Sequence, residues 1–208
     1  MTESSKLAEL AELLRPEIDS ERVLAAIASV PRERFVPEAQ RHRAYENVAL
    51  PIGSGQTISQ PLVVARMLEL LDLHPTDRVL DIGTGSGYHA ALLAVLASEV
   101  WTIERHPELG AEAERTIRGL GTQNVHFTIG DGSFGLPAHA PFDAINVAAA
   151  TGASVPNALQ DQLAPRGRLV APVGVDGQRL TLIARGAARL ETTSHEPVRF
   201  VPLIRPER

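Results

Sequence analysis

Val79-Leu80-Asp81-Ile82-Gly83-Thr84-Gly85-Ser86-Gly87-Tyr88 carries an apolar run into an acid and then into a turn with three alternating glycines. Glycines at such a turn permit positive φ and let the main chain approach a ligand closely. The apolar positions from Ala90 to Ala97 continue as a buried helix. A strand, a loop and a helix N-terminus therefore gather round one ligand.

Outward from this loop, strands alternate with helices. Helix Tyr88 to Leu96, strand Glu99 to Glu104, helix Glu108 to Leu120 and strand Val125 to Ile129 are followed by strand Ala144 to Ala148, helix Pro156 to Leu163 and strand Arg168 to Pro172. The alternation predicts an α/β fold with a doubly wound sheet. Val175-Asp176-Gly177-Gln178 then offers a hairpin turn with no room for a crossover helix, so the C-terminal strands finish antiparallel. A last strand is expected over Val198 to Leu203. On the N-terminal side, Lys6 to Leu14, Ser20 to Ser29 and Pro61 to Leu71 carry helical apolar spacing. The Pro- and Gly-punctuated stretch from Val36 to Gly55 reads as a lid or substrate wall. One domain, 1–208, is expected, with N-terminal helices and a substrate-side loop in 1–77 and a cofactor-binding sheet core in 78–208.

Three acids end three successive strands. Asp81 stands two residues before the first glycine, Glu104 lies about 20 residues beyond the loop, where a ribose diol is bound, and Asp131 sits in Gly130-Asp131-Gly132 after the third strand. Gly85-x-Gly87-x-x-Ala90 also fits the looser dinucleotide fingerprint, and an ordinary Gly-rich turn is the bland alternative. The G-x-G-x-G spacing and Asp81 favour S-adenosylmethionine, whose ammonium and sulfonium attract an acid that would repel a pyrophosphate. Glu104 then reads as the ribose ligand and Asp131 as acceptor for the adenine amino group. A solvated strand-end glutamate is the plain alternative for Glu104.

Composition bounds the rest. With 208 residues, 44% hydrophobic and 22% charged, the chain suits one soluble core. It contains no cysteine, which excludes disulfides, thiolate metal sites and a cysteine nucleophile. A net charge of −5 argues against a broad nucleic-acid surface. No leader or membrane-length apolar run is visible, so a cytoplasmic protein is expected, away from membranes and without a metal. Arg32, Arg34, Arg41 and Arg43 read as a solvated face, with a second use in drawing acidic peptide to a cleft. His89, just after the glycine loop, is placed to meet the cofactor pocket, but the reading preferred for it is a helix-surface histidine. The H-E-x-x-H, G-x-S-x-G and Walker patterns do not occur.

Arg34-Phe35-Val36-Pro37, Leu50-Pro51-Ile52-Gly53, Gly55-Gln56-Thr57-Ile58-Ser59-Gln60-Pro61 and the loop from Asp81 to Tyr88 resemble the protein-L-isoaspartate (D-aspartate) O-methyltransferase family. The likeness resumes at Gly130-Asp131-Gly132, Ala148-Ala149-Ala150 and Val198-Arg199-Phe200-Val201-Pro202-Leu203. It implies a Rossmann-like class I methyltransferase sheet that transfers a methyl group from S-adenosylmethionine to the free carboxylate of L-isoaspartyl residues in damaged proteins, initiating their repair. It also implies roles for particular positions. Ser59 matches the active-site serine, and Thr57 and Ile58 match residues lining the substrate cleft. Asp81, Gly83, Thr84, Gly85 and Gly87 match the cofactor loop, Glu104 the ribose acid, and Asp131 with Gly132 the adenine contact. Thr151-Gly152-Ala153-Ser154 departs from the family pattern and is expected to reshape a wall of the site.

An ionised carboxylate is already a nucleophile at neutral pH, so such a site has no need of a general base. Orientation and desolvation are the task, and hydroxyls at Thr57 and Ser59 suit it. The same two residues are also candidates to cap the helix that starts at Pro61. Two alternatives remain open at this stage: a carboxyl methyltransferase for another peptide or small acid, and a non-catalytic binding module.

Overall fold

The computed structural model describes residues 2–204. Two helices open the chain, α1 (Glu3–Leu14) and α2 (Glu21–Ile27), each started by a hydroxyl cap, Thr2 on the Ser5 amide and Ser20 on the Val23 amide. Short 3₁₀ turns at Arg32–Phe35 and Glu38–Arg43 lead into a small hairpin, β1 (Leu50–Gly53) with β2 (Gln56–Ile58). Helix α3 follows at Pro61–Leu71, with proline in the first turn where no donor is lost. Neither Thr57 nor Ser59 caps it. The cap residue is Gln60, without a side-chain bond, and the Leu62 amide is satisfied from a distance by Asn47 Oδ1 at 3.0 Å.

The main sheet is built from β3 (Arg78–Ile82), β4 (Glu99–Glu104), β5 (Val125–Ile129), β6 (Phe142–Val147), β7 (Leu163–Val173), β8 (Gln178–Arg185) and β9 (Leu190–Val198). Its order is β5-β4-β3-β6-β7-β8-β9, parallel through β7 and antiparallel in the last two pairs. Helices α4 (Tyr88–Leu96) and α5 (Pro107–Gly119) carry the crossovers on one side of β3, and α6 (Asn157–Gln160) lies on the route from β6 to β7. Strand order reverses between β3 and β6, which makes that boundary the switch point of a doubly wound sheet.

Alternation along the strands divides the core between the two faces. Val79, Val100, Val125, Ala144 and Val170 pack with the apolar sides of α1 to α5. Leu80, Ile82, Ile103, Ile145 and Leu169 pack with α6 residues and with Val155 and Leu163 on the opposite face. Helix α4 is buried along almost its whole length, Tyr88 through Leu93 and Leu96, because α2 covers the side turned away from the sheet.

Two C-terminal expectations are corrected. The helix expected over Pro156 to Leu163 is a single turn, since Leu163 already pairs with Phe142 at the start of β7. The final strand is Leu190–Val198, a polar and largely exposed edge, and only Val198 of the expected Val198 to Leu203 belongs to it. An edge strand needs no apolar alternation, which hid it in the sequence. Residues 199–204 instead run back over the carboxyl ends of the parallel strands, held by a bridge between Ala150 and Pro202 and by a reciprocal pair of bonds between the Gln178 amide and Phe200.

Candidate active site

A cleft opens at the switch point. Its strand-end wall consists of Ile82 to Ser86, Ile103 to His106, Asp131, Gly132, Ala148 and Ala149. The opposite wall comes from the β2 region, Gln56 to Ser59, and from Val201 to Ile204. A second groove, lined by Ala49, Gln60, Val63 and Pro197 to Phe200, meets the first along Thr57, Ser59, Ala148 and Val201, which belong to both.

The three acids separate on inspection. Glu104 lines the cleft and accepts from the Gly85 amide (2.8 Å) through one oxygen and from the Arg105 and His106 amides (2.9 and 3.0 Å) through the other. It thereby fixes the glycine loop while retaining lone pairs for a ligand. Asp131 lines the cleft too, and its Oδ1 takes the Ser133 amide at 2.8 Å. Asp81 does not line it. Its register partners on the two neighbouring strands, Thr102 and Asn146, both donate to its carboxylate, at 2.9 and 2.7 Å. Burial pushes its pKa up to about 6 despite those bonds. Since Thr102 spends its proton on Asp81, the Thr84 hydroxyl donates in the 2.6 Å bond to Thr102. The charge expected to face an ammonium directly thus reaches the loop through two hydroxyls.

Gly83, Thr84 and Gly85 line the cleft; Gly87 stands behind it, as the left-handed cap of α4 with φ +89°. A Cβ there would lie 3.0 Å from Ala113 Cβ, so this glycine serves the packing of α4 on α5. Gly132 faces the sheet, where a Cβ would come within 2.6 Å of Ile82 Cγ2. Of the substrate-side residues, Ile58 is buried, Ser59 half-buried and Thr57 exposed, all three on the cleft wall.

Three readings are overturned. His89 is a buried histidine lining the cleft, 6% exposed, bonded to the Val64 main chain and pushed by desolvation down to about 4, hence neutral at pH 7. Arg32 is fully buried rather than part of a solvated face, whereas Arg41 is exposed and Arg43 half-buried, paired with Glu38 and Glu46. Thr151 to Ser154 line neither cleft, because Thr151 binds Pro172 O and Gly152 bridges to Gly174. Sequence reasoning missed Arg32, Ala148 and the tail from Val201 to Ile204, and set His89 at the cofactor pocket only as its second reading. The Ala148 position and the tail motif carried a signal as parts of the family likeness, and His89 through its place after the glycine loop.

Among the described residues no cluster of His, Cys, Asp and Glu could hold a metal, and no helix is long and apolar enough to cross a membrane.

Comparison with known proteins agrees with this geometry. Residues 5–208 match the model of the protein-L-isoaspartate(D-aspartate) O-methyltransferase family. A protein-L-isoaspartate O-methyltransferase of Aeromonas salmonicida is 54% identical over 195 residues, covering 94% of this chain and 95% of that one. A solved protein-L-isoaspartate O-methyltransferase superposes with a TM-score of 0.85 at 29% identity, over 93% of this chain but 64% of its own longer chain. A second, described as a putative protein-L-isoaspartate O-methyltransferase from Plasmodium falciparum in complex with S-adenosyl-L-homocysteine, superposes with a TM-score of 0.83 at 26% identity, over 95% of this chain and 98% of that one. Near-complete coverage by the family model and by a relative of this identity shows that the chain belongs to the protein-L-isoaspartate(D-aspartate) O-methyltransferase family.

Proposed function

We propose that this protein is an S-adenosylmethionine-dependent methyltransferase that esterifies the free carboxylate of L-isoaspartyl residues in damaged proteins, the step that starts their repair. One observation carries the reading: two clefts meet along a seam at Thr57, Ser59, Ala148 and Val201. A group transferred between two bound molecules requires such a seam, and the first cleft has the fittings for the cofactor. Its walls place two acids at the strand ends, Glu104 suited to a diol and Asp131 suited to an amine. Ile82 and Ile103 supply apolar surface for a ring. When bound, S-adenosylmethionine supplies an electrophilic methyl group on a sulfonium.

The groove suits the other reactant. Among the described residues, Arg199 is the one charged residue that lines it, with no acid alongside to repel a carboxylate. Ser59 is cast as a donor through its hydroxyl to that carboxylate, fixing which oxygen faces the seam, with Thr57 as a second hydroxyl beside it. Ile58 closes the wall between them and keeps water out. No proton has to be removed from the nucleophile, and the absence of an ionisable base beside Ser59 on the shared wall is consistent with that.

The test is transfer of labelled methyl from S-adenosylmethionine to an isoaspartyl peptide and to its aspartyl twin. Selective labelling of the isoaspartyl peptide is expected, with kcat reduced about tenfold in Ser59→Ala, the loss of one hydrogen bond to a charged group. Labelling of neither peptide would send the search to another carboxylate substrate.

A further inference from the structure

Arg32 lies in the core with no carboxylate to pair it. It is 0% exposed and takes part in none of the ion pairs of the described residues. Its guanidinium grips carbonyls instead: Nε donates to Ala44 O at 2.9 Å, and Nη2 to Ser59 O at 2.8 Å and Val48 O at 3.3 Å. Those three carbonyls belong to stretches without a continuous ladder, so they need a donor when buried. A planar fork of five donors can reach all three at once, which a lysine cannot. Nη1 remains buried without a partner.

A clamp on loop carbonyls would explain the three bonds but not their setting. Ser59 is on the seam between the two clefts, and the same guanidinium lies 5.0 Å from the ring centroid of Tyr88, which opens the helix after the glycine loop and lines the first cleft. Phe35, three residues on from Arg32, packs edge-on against that ring at 5.5 Å. One side chain thus touches the substrate-side wall and the cofactor-side helix together. Burying a lone cation is costly where an apolar side chain would pack, and the cost is explained by the alignment it secures.

Building on the function proposed above, we infer that Arg32 is a positioning residue for methyl transfer, whose buried guanidinium fixes the main chain of Ser59 against Tyr88 and so sets the Ser59 hydroxyl relative to the cofactor cleft.

Arg32→Lys keeps the charge and loses the fork. The variant is expected to lose about tenfold or more in kcat, with KM for the peptide rising less and S-adenosylhomocysteine binding, read by calorimetry, within twofold of wild type. Amides from Ile58 to Gln60 are expected to exchange hydrogen about tenfold faster, with β3 and β4 unchanged. In a Ser59→Ala background the same substitution should cost less than twofold, because its effect passes through that hydroxyl. An equal cost in both backgrounds, or unchanged exchange at Ile58 to Gln60, overturns the proposal. So does failure of both Arg32→Lys and Arg32→Gln to fold, which would make Arg32 a structural clamp. A wild type inactive on the isoaspartyl peptide sinks the functional reading instead, and the exchange measurement still decides the role of Arg32.

Discussion

The two walls of the first cleft are held in different ways. The strand-end wall, from the glycine loop through Glu104 to Asp131, hangs directly on β3, β4 and β5, whose register fixes it. The facing wall, made of the β2 hairpin and residues 201–204, is fastened by scattered single contacts: Arg32 to Ser59, Asn47 to Leu62, Gln178 to Phe200 and the Ala150 bridge. A ligand that needs a preformed cradle belongs against the first, and a substrate met in many sequence contexts belongs against the second. Loss of one contact should therefore be severe on the strand-end side and mild on the other.

Glu104→Ala tests the severe side. The substitution removes a carboxylate that satisfies the Gly85, Arg105 and His106 amides, one of them in the glycine loop itself. Leaving three donors without that acceptor and losing a ligand for the diol should weaken S-adenosylhomocysteine binding by about 100-fold or more. Calorimetry measures this without turnover. A change below about fivefold would mean that the loop is held by the sheet alone and that the contrast between the walls is overstated.

Burial beside the strand-end wall also leaves a titration signature. His89 is held down to about 4 in the folded protein against 6.5 as its ordinary value. The unfolded chain binds more protons between those values, so this residue costs stability as pH falls through the window. Asp81 acts the other way. Its pKa is raised from 3.8 to about 6, so the folded chain binds more protons between those values and acidification returns stability. His89→Gln removes the cost and keeps the gain. At pH 4.5 the variant should gain on the order of 2 kcal/mol over its standing at pH 7 relative to wild type, a Tm difference of roughly 6 °C. A Tm difference independent of pH would show that His89 is not held neutral in the core.

The same contrast explains what the sequence disclosed. Strand-end positions are announced by local pattern: an apolar run, an acid, then glycines, so Asp81, Glu104 and Asp131 were legible and so was the sheet from β3 to the β7–β8 hairpin. Even there the pattern could not say which acid faces the cleft. That depended on the pairing of Asp81 with Thr102 and Asn146, residues 21 and 65 positions away. The facing wall depends on contacts at long separation with no periodicity. Arg32 reaches Ser59 across 27 positions, and Phe200 reaches Gln178 across 22. An arginine in a cluster of arginines looks solvated, and a histidine after a glycine loop looks exposed, until tertiary packing closes over them. The polar edge strand β9 had no apolar stripe to announce it, and the apolar tail beyond it imitated a strand because its half-buried Phe200, Val201 and Leu203 lie along the clefts and not in the sheet.

The mild side is broken most gently at Gln178, whose amide gives Nε2 to Phe200 O at 3.1 Å and takes the Phe200 amide on Oε1 at 2.6 Å. This pair is the tail's side-chain fastening to β8, beside Arg199 and Val201, which line the groove and the seam. Gln178→Ala removes both bonds while leaving the Ala150 bridge, so the tail remains placed but less restrained. Two hydrogen bonds at a partly exposed site contribute about 1 kcal/mol between them, which corresponds to a rise of roughly fivefold in KM for the isoaspartyl peptide. Cofactor binding should change less than twofold, since the strand-end wall is untouched. If S-adenosylhomocysteine affinity fell as much as peptide affinity, the tail would be acting as a lid over the cofactor, and the two walls would have to be treated as one closing unit.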